Sequence, residues 1–374
     1  MMQLCSRPGG WTLALCTIAL GGCGGDSTGP AGNLSDPAAL SADLQSLDTP
    51  FESSVMQGFG AVALSSGGTP ATRAASFLAA LSPAGKLPSA DGAVRRQSSM
   101  PLALRTALST GPNFQVIPSG VWGKVYEWDV ATDHYVESVA SGPANGVRFI
   151  LYAVNPLTEQ PNEPLDPVGY ADFLDESNGA TDQLRVRVVG DDAVTYADYV
   201  VSGTTGGTSL DAAISGFVTN GTRRLDFTAD LAATSSQVQL QYQLQLDQPA
   251  VSAQLQLQLQ FSGESATMQL NFNFTHGGET LELQGTLTLT SSASGSSATA
   301  SFTVDVNGGR FATITGSSSG NEVSYTFTGP GRELTAAERE ALGHLFAAPS
   351  EMGDFIEQLF GPVEAFFGDY SAAI

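Results

Sequence analysis

The chain has 374 residues and carries 37 acidic against 15 basic side chains, a net charge of −22. Such a chain is repelled by phosphate backbones and anionic lipid surfaces, which argues against nucleic acid as a partner. Only 14% of residues are charged, so the polar surface has to come from Ser, Thr, Gln, Asn and Gly, a balance that fits an exported β protein better than a cytosolic enzyme.

The first element is a basic residue, Arg7, followed by an apolar run from Trp11 to Leu20. That run is too short to span a bilayer and has the length of a signal-peptide core. Leu20, Gly21, Gly22 and Cys23 follow. An aliphatic residue, two small residues and a cysteine resemble the lipobox of bacterial lipoproteins. The resemblance implies that residues 1–22 are a signal peptide, that cleavage precedes Cys23, and that its thiol carries diacylglycerol. Each acyl methylene buried in the membrane contributes roughly 0.8 kcal/mol. Because Gly24 rather than Asp follows Cys23, the resemblance also implies the cell envelope, at the outer membrane where the host has two. Cys5 and Cys16 would leave with the signal, so the body would hold no disulfide, thiol nucleophile or cysteine ligand.

Residues Gly25–Gly29, GDSTG, literally match the G-x-S-x-G elbow of serine hydrolases. An elbow needs a buried strand before it to present the hydroxyl, and none precedes Ser27. Residues 23–34 are instead read as a flexible tether of Gly, Ser, Thr, Asp and Pro.

An N-terminal helical segment is expected over residues 35–114. Asp36 is placed to cap a helix with Pro37 at its first position. Leu40, Leu44, Leu47, Phe51, Val55 and Phe59 then recur every three or four residues, with Pro50 interrupting the stripe. A second helix is expected over Pro70–Leu81 and a loop over Ser82–Arg96.

From about Gln115 the period changes to two. Val121–Trp128 and His134–Val139 read as a hairpin about Asp129–Asp133. Gly146–Val154, Gln183–Val189 and Val194–Val201 read as strands, with a proline-rich loop at Asn155–Pro167. From Gln237 the alternation is nearly unbroken: Val238, Leu240, Tyr242, Leu244 and Leu246 on one face, five glutamines on the other. The same pattern continues through Ala253–Phe261, Met268–Phe274, Leu281–Leu289, Ala300–Val306 and Val323–Phe327. Runs of this kind with short turns predict an antiparallel meander with one face on a core and one in water. No Lys or Arg lies between Arg224 and Arg310, so the water face is almost uncharged.

Over residues 331–374 the period returns to helical. Thr335 and Glu338 form a capping box, and Phe355, Ile356, Leu359, Phe360, Val363, Phe366 and Phe367 make a wide apolar stripe. The predicted fold is mainly β: a large, twisted antiparallel sheet over residues 115–330, curled or half-barrel in form, with N- and C-terminal helices on its apolar face.

Few residues stand at spacings that suggest chemistry. Asp129, Asp133 and His134 suit a hairpin turn, His276-Gly277-Gly278 joins two strands, His344 is a lone helical histidine, and Asp191-Asp192 sits where a turn is needed. No P-loop, G-x-G-x-x-G or H-E-x-x-H is present, so no catalytic residue, metal ligand or cofactor site is predicted. Trp122, Tyr126, Trp128 and Tyr135 cluster on the first hairpin, as core pairs or as a surface aromatic patch.

The expected function is a non-enzymatic, lipid-anchored envelope protein with a structural or interaction role, its partners being the membrane through Cys23 and an envelope protein or glycan. The predicted sheet with helices on its apolar face also resembles the outer-membrane lipoprotein carriers, half-barrels that shuttle acyl chains. That architectural resemblance implies carriage of a hydrophobic ligand. A hydrolase without a recognisable motif is the third expectation. A transmembrane barrel is disfavoured by the implied anchor, the missing aromatic girdles and the helical end.

Overall fold

Alternating Gln and Leu leaves a strand no choice of face, because successive side chains of an extended chain point to opposite sides. In the computed structural model, which describes residues 32–64 and 116–365 apart from 156–157, 159, 179–180, 207–208, 235, 263–264, 293–294, 320–321 and 330, these runs become consecutive strands of one sheet. The first five strands are β1 (Val125–Asp129), β2 (His134–Ser138), β3 (Gly146–Tyr152), β4 (Pro167–Asp175) and β5 (Asp182–Gly190). Then come β6 (Thr195–Gly206), β7 (Ser209–Thr219), β8 (Arg224–Ala233), β9 (Gln237–Leu246) and β10 (Val251–Ser262). The last five are β11 (Ser265–His276), β12 (Glu279–Ser292), β13 (Gly295–Val306), β14 (Gly309–Ser319) and β15 (Glu322–Thr328).

The fifteen strands lie side by side in chain order from β15 to β4, and the far end runs β3, β1, β2. Every neighbouring pair is antiparallel except β1 and β3, which are parallel. The sheet is therefore mixed rather than purely antiparallel, and it is not closed: among the described residues β2 and β15 are its two edges. Four of its strands, β4, β7, β8 and β14, are not among the runs identified from the sequence.

Helices cover the apolar face. Asp36 caps α1 (Pro37–Gln45) through its side chain, which accepts a hydrogen bond from the Ala39 N–H, with Pro37 in the first turn. Around Pro50 the chain tightens into a 3₁₀ segment, Ser46–Phe51, before α2 (Ser54–Leu64) resumes the stripe, as a proline that cannot donate requires. The α2 helix packs on β3 to β6, and the 3₁₀ segment on β7 and β8. The C-terminal element is one run, α3 (Ala336–Ala365), which contains Pro349 and Pro362. Its capping box is formed: Glu338 N–H donates to Thr335 Oγ1 at 3.2 Å and Thr335 N–H to Glu338 Oε2 at 2.8 Å. The predicted helix at Pro70–Leu81, and Phe366 and Phe367 of the predicted stripe, lie outside the described residues.

Two anchors show how α3 crosses the sheet. Near its N-terminal end, the Phe346 ring meets Phe302 of β13 and Tyr325 of β15 edge-on, at 5.3 and 5.5 Å. Near its C-terminal end, the Leu359 carbonyl accepts a 2.6 Å hydrogen bond from the buried Tyr199 hydroxyl of β6. Between them Phe355 stacks on Phe51 at 5.2 Å, so the two helical segments lock together over the same core. Each large side chain buried there contributes about 1.5–3 kcal/mol relative to exposure.

Candidate functional site

Cys23 and the lipobox residues Leu20, Gly21 and Gly22 lie outside the described residues. The N–H of Gly32, the first described residue, donates to the Arg310 carbonyl at 3.0 Å. A Cβ at position 32 would collide with the Gly309 carbonyl oxygen, so glycine permits this close approach. Leu34, assigned to the tether in the sequence reading, is buried, and the Ser35 N–H donates to Glu279 Oε1 at 3.1 Å. The N-terminal segment is thus fixed at the end of the sheet that carries the turns after β11 and β13.

At that end lies a buried polar group. His276 occupies the last inward position of β11, continuing Met268, Leu270, Phe272 and Phe274, and is 4% exposed. Its ring stacks on Phe274 at 5.7 Å. Nδ1 lies 3.2 Å from Asp43 Oδ2 of α1. Nε2 faces Glu279 Oε2 at 3.8 Å, and both atoms are buried without a hydrogen-bond partner. Gly277 and Gly278, at φ of 52° and 85°, supply the left-handed turn that brings Glu279 back beside the ring. Two carboxylates flank one imidazole here, but they meet different nitrogens rather than converging on a point. Among the described residues no group of three or more His, Cys, Asp or Glu is arranged to hold a metal ion. The ring's burial leaves a substrate no approach, and its contacts join the N-terminal segment to the sheet.

The sequence contained a signal for this placement that the turn reading of His276-Gly277-Gly278 missed. Counting by twos from Met268 puts His276 on the core face. Its partner Asp43 carried no such signal, because it comes from a helix more than two hundred residues away.

The other sequence candidates resolve into structural roles. Tyr126, Trp128 and Tyr135 are buried and Trp122 is half-buried, so these four do not form a surface aromatic patch. Trp128 meets Tyr135 edge-on at 5.5 Å across the β1–β2 pair, Tyr126 stacks on Phe149 at 4.9 Å, and the Trp122 indole N–H donates to the Ile117 carbonyl. The Asp129 carboxylate accepts from Ala131 N–H and Thr132 Oγ1 within its turn. Asp192 accepts from Val194 N–H and from the Tyr196 hydroxyl.

The solvent face of the sheet is divided. On β3 to β6 it carries ion pairs across strands: Arg148 forks onto Asp172 at 2.7 and 2.8 Å, and Arg185 onto Asp198 at the same two distances. Each aspartate holds its arginine's proton more firmly through that bidentate hydrogen bond, which raises the guanidinium pKa. From β9 onward Arg310 pairs with Asp305 across β13 and β14, but most rows set uncharged residues side by side. Gln241, Gln256, Asn271, Gln284, Thr303 and Thr313 form one such row, ending at Thr328 of β15.

On the apolar face, a crevice of about 20 Å³ remains between α3 and the sheet, lined among others by Leu270, Leu287, Phe302, Tyr325, Phe346 and Pro349. That is room for about one water molecule. Among the described residues no helix is long and apolar enough to cross a membrane. No protein-family model, no curated protein and no solved structure matches the chain.

Proposed function

We propose that the protein is a lipid-anchored protein of the cell envelope, held at the outer membrane where there are two, with a non-enzymatic structural or interaction role. The single observation that favours the interaction role over carriage of a ligand is that, among the described residues, α2, α3 and the 3₁₀ segment pack on the apolar face. Ligand pockets measure about 300–1,000 Å³, whereas the crevice under α3 is about 20 Å³. The anchoring rests on Leu20, Gly21, Gly22 and Cys23. Gly32, nine residues after Cys23, is bonded to Arg310 at one end of the sheet. An extended chain from Cys23 to Gly32 reaches at most about 30 Å, so that end, with its turns at Gly277–Gly278 and Asn307–Gly308, would face the bilayer.

Two mass measurements test this reading. Protein purified from membranes should yield an N-terminal peptide beginning at diacylated Cys23, and Cys23→Ser should move the chain to the soluble fraction. Native mass spectrometry of the Cys23→Ser chain should give the bare protein mass. Extra mass that extracts into organic solvent would replace the interaction role with that of a carrier of hydrophobic ligands.

A further inference from the structure

The two edges of the sheet differ in how they are guarded. An edge strand offers unpaired N–H and C=O groups to any other strand, and proteins blunt it with shortness, charge or proline. The β2 edge is short, five residues, and carries His134 and Glu137. The β15 edge runs seven residues, EVSYTFT, without lysine, arginine or proline and with one acid at its end. Among the described residues β15 pairs only with β14. On its solvent side Ser324, Thr326 and Thr328 are exposed and continue the uncharged rows of β9 to β14. On its core side Tyr325 and Phe327 pack against the hydrophobic core while staying only partly buried, although every inward Leu of β9 and β10 is buried. The core therefore ends at β15 with two aromatic side chains half-covered.

We propose that β15 is an assembly edge, at which a second copy of this chain adds its own β15 antiparallel about a two-fold axis at Tyr325. This deepens the interaction role proposed above and does not depend on the lipid anchor. A copy is the occupant the charges favour. With a net charge of −22 per chain, two copies can approach only where like charges do not meet, and the rows that reach β15 at Ser324, Thr326 and Thr328 are uncharged from β9 onward. Antiparallel pairing about Tyr325 sets Ser324 opposite Thr326 of the second copy, and Glu322 opposite its Thr328 rather than its Glu322. An isologous contact of this kind is self-complementary and closes at two subunits. On the core side the same register sets Tyr325 opposite Tyr325, and Phe327 opposite position 323, of the other copy.

The test is sedimentation of the full-length Cys23→Ser chain, alone and with paired substitutions. The expected state is a dimer that dissociates on dilution. Ser324→Lys with Thr326→Lys sets lysine opposite lysine twice, which is destabilising, and should give a monomer. Ser324→Glu with Thr326→Glu should do the same. Mixing the two double variants should restore a dimer of one each, since every lysine then meets a glutamate. Both positions are exposed, and an unchanged circular dichroism spectrum shows that each variant is folded. A wild-type chain that stays monomeric at its solubility limit overturns the proposal. So does a lysine variant that still dimerises, or a mixture that remains monomeric. Slow amide exchange along β15 in a monomeric wild type would assign the edge to another segment of the same chain, and also overturns it. Dimerisation multiplies the chain mass without adding mass that extracts into organic solvent, so failure here is distinct from failure of the interaction role as such.

Discussion

His276 Nδ1 lies 3.2 Å from Asp43 Oδ2, and this contact joins α1 to the end of β11 across 233 positions of sequence. The imidazole is buried, so removing its partner leaves a polar group unsatisfied inside the protein. Asp43→Ala should cost about 1–3 kcal/mol of unfolding free energy. A double-mutant cycle with His276→Leu should show a coupling of about 0.5–3 kcal/mol. Additive effects in denaturant unfolding would mean that the two side chains do not support each other.

Glu279 poses the opposite case. Its Oε1 accepts from Ser35 N–H, while its Oε2 and His276 Nε2 face each other without a hydrogen bond. Glu279→Gln keeps the acceptor and sets an amide donor against the ring nitrogen. The substitution should be neutral or raise stability by about 1 kcal/mol, and a lowered Tm would show that the negative charge itself is required.

The N-terminus of α3 should produce an acid-sensitive contribution. The Arg332 guanidinium beside Glu338, helped by hydrogen bonds from Thr335, lowers the carboxyl from its ordinary 4.5 to about 2. A depressed carboxyl binds its proton more readily in the unfolded chain. Its stabilisation is therefore complete above pH 4.5 and fades as pH falls toward about 2. Thermal unfolding of the wild type and Glu338→Gln should differ at neutral pH and converge near the bottom of that window. A difference independent of pH would contradict the ion pair.

Alkali should act through tyrosines. Burial raises Tyr199 well above its ordinary value of 10.0, and Tyr242 likewise. The folded chain keeps both protons where the unfolded chain loses them, so their contribution is intact below pH 10 and declines as pH rises further. In a spectrophotometric titration these two phenols should ionise only together with unfolding. Tyr199→Phe should separately cost about 0.5–1.5 kcal/mol by removing the bond to the Leu359 carbonyl, and early ionisation of both rings would show that they are not enclosed.

Phe355 joins the two helical segments, being 1% exposed and stacked on Phe51 at 5.2 Å with 7° between the rings. Phe355→Ala should lower stability by about 3–5 kcal/mol. The resulting cavity is apolar, and such cavities stay dry and accept small apolar molecules. Benzene should therefore raise the Tm of the variant and leave the wild type unchanged; equal shifts in both would point to a cavity already open.

Much of the fold was readable where chemistry repeats locally. The Gln–Leu alternation of β9 and β10 assigns every residue to a face, and the Asp36 cap and the Thr335–Glu338 box mark helix starts within four residues. The strands that escaped notice lack that contrast. In β7 the run Asp211-Ala212-Ala213-Ile214-Ser215-Gly216 offers small side chains on both faces. The β4 strand places Asp172 among buried neighbours, and only Arg148 on the next strand explains an acid there. In β14, pairing to β13 shifts register between Val304 and Asp305, so Phe311 and Ala312 are both buried in succession and the period of two is lost.

The sequence by itself determined which segments are strands or helices with strong periodicity, which face of each is apolar, and how sparse charge is beyond Arg224. These properties belong to residues within two to four positions of one another. The tertiary structure alone decided that β3 lies beside β1 in parallel, that among the described residues β2 and β15 are the edges, that four hairpin aromatics lie in or against the core, and that helices pack on the apolar face. It also decided that His276 meets Asp43. Such outcomes depend on contacts between residues far apart in the chain, and an alternating pattern is equally satisfied by any neighbour that presents an apolar face.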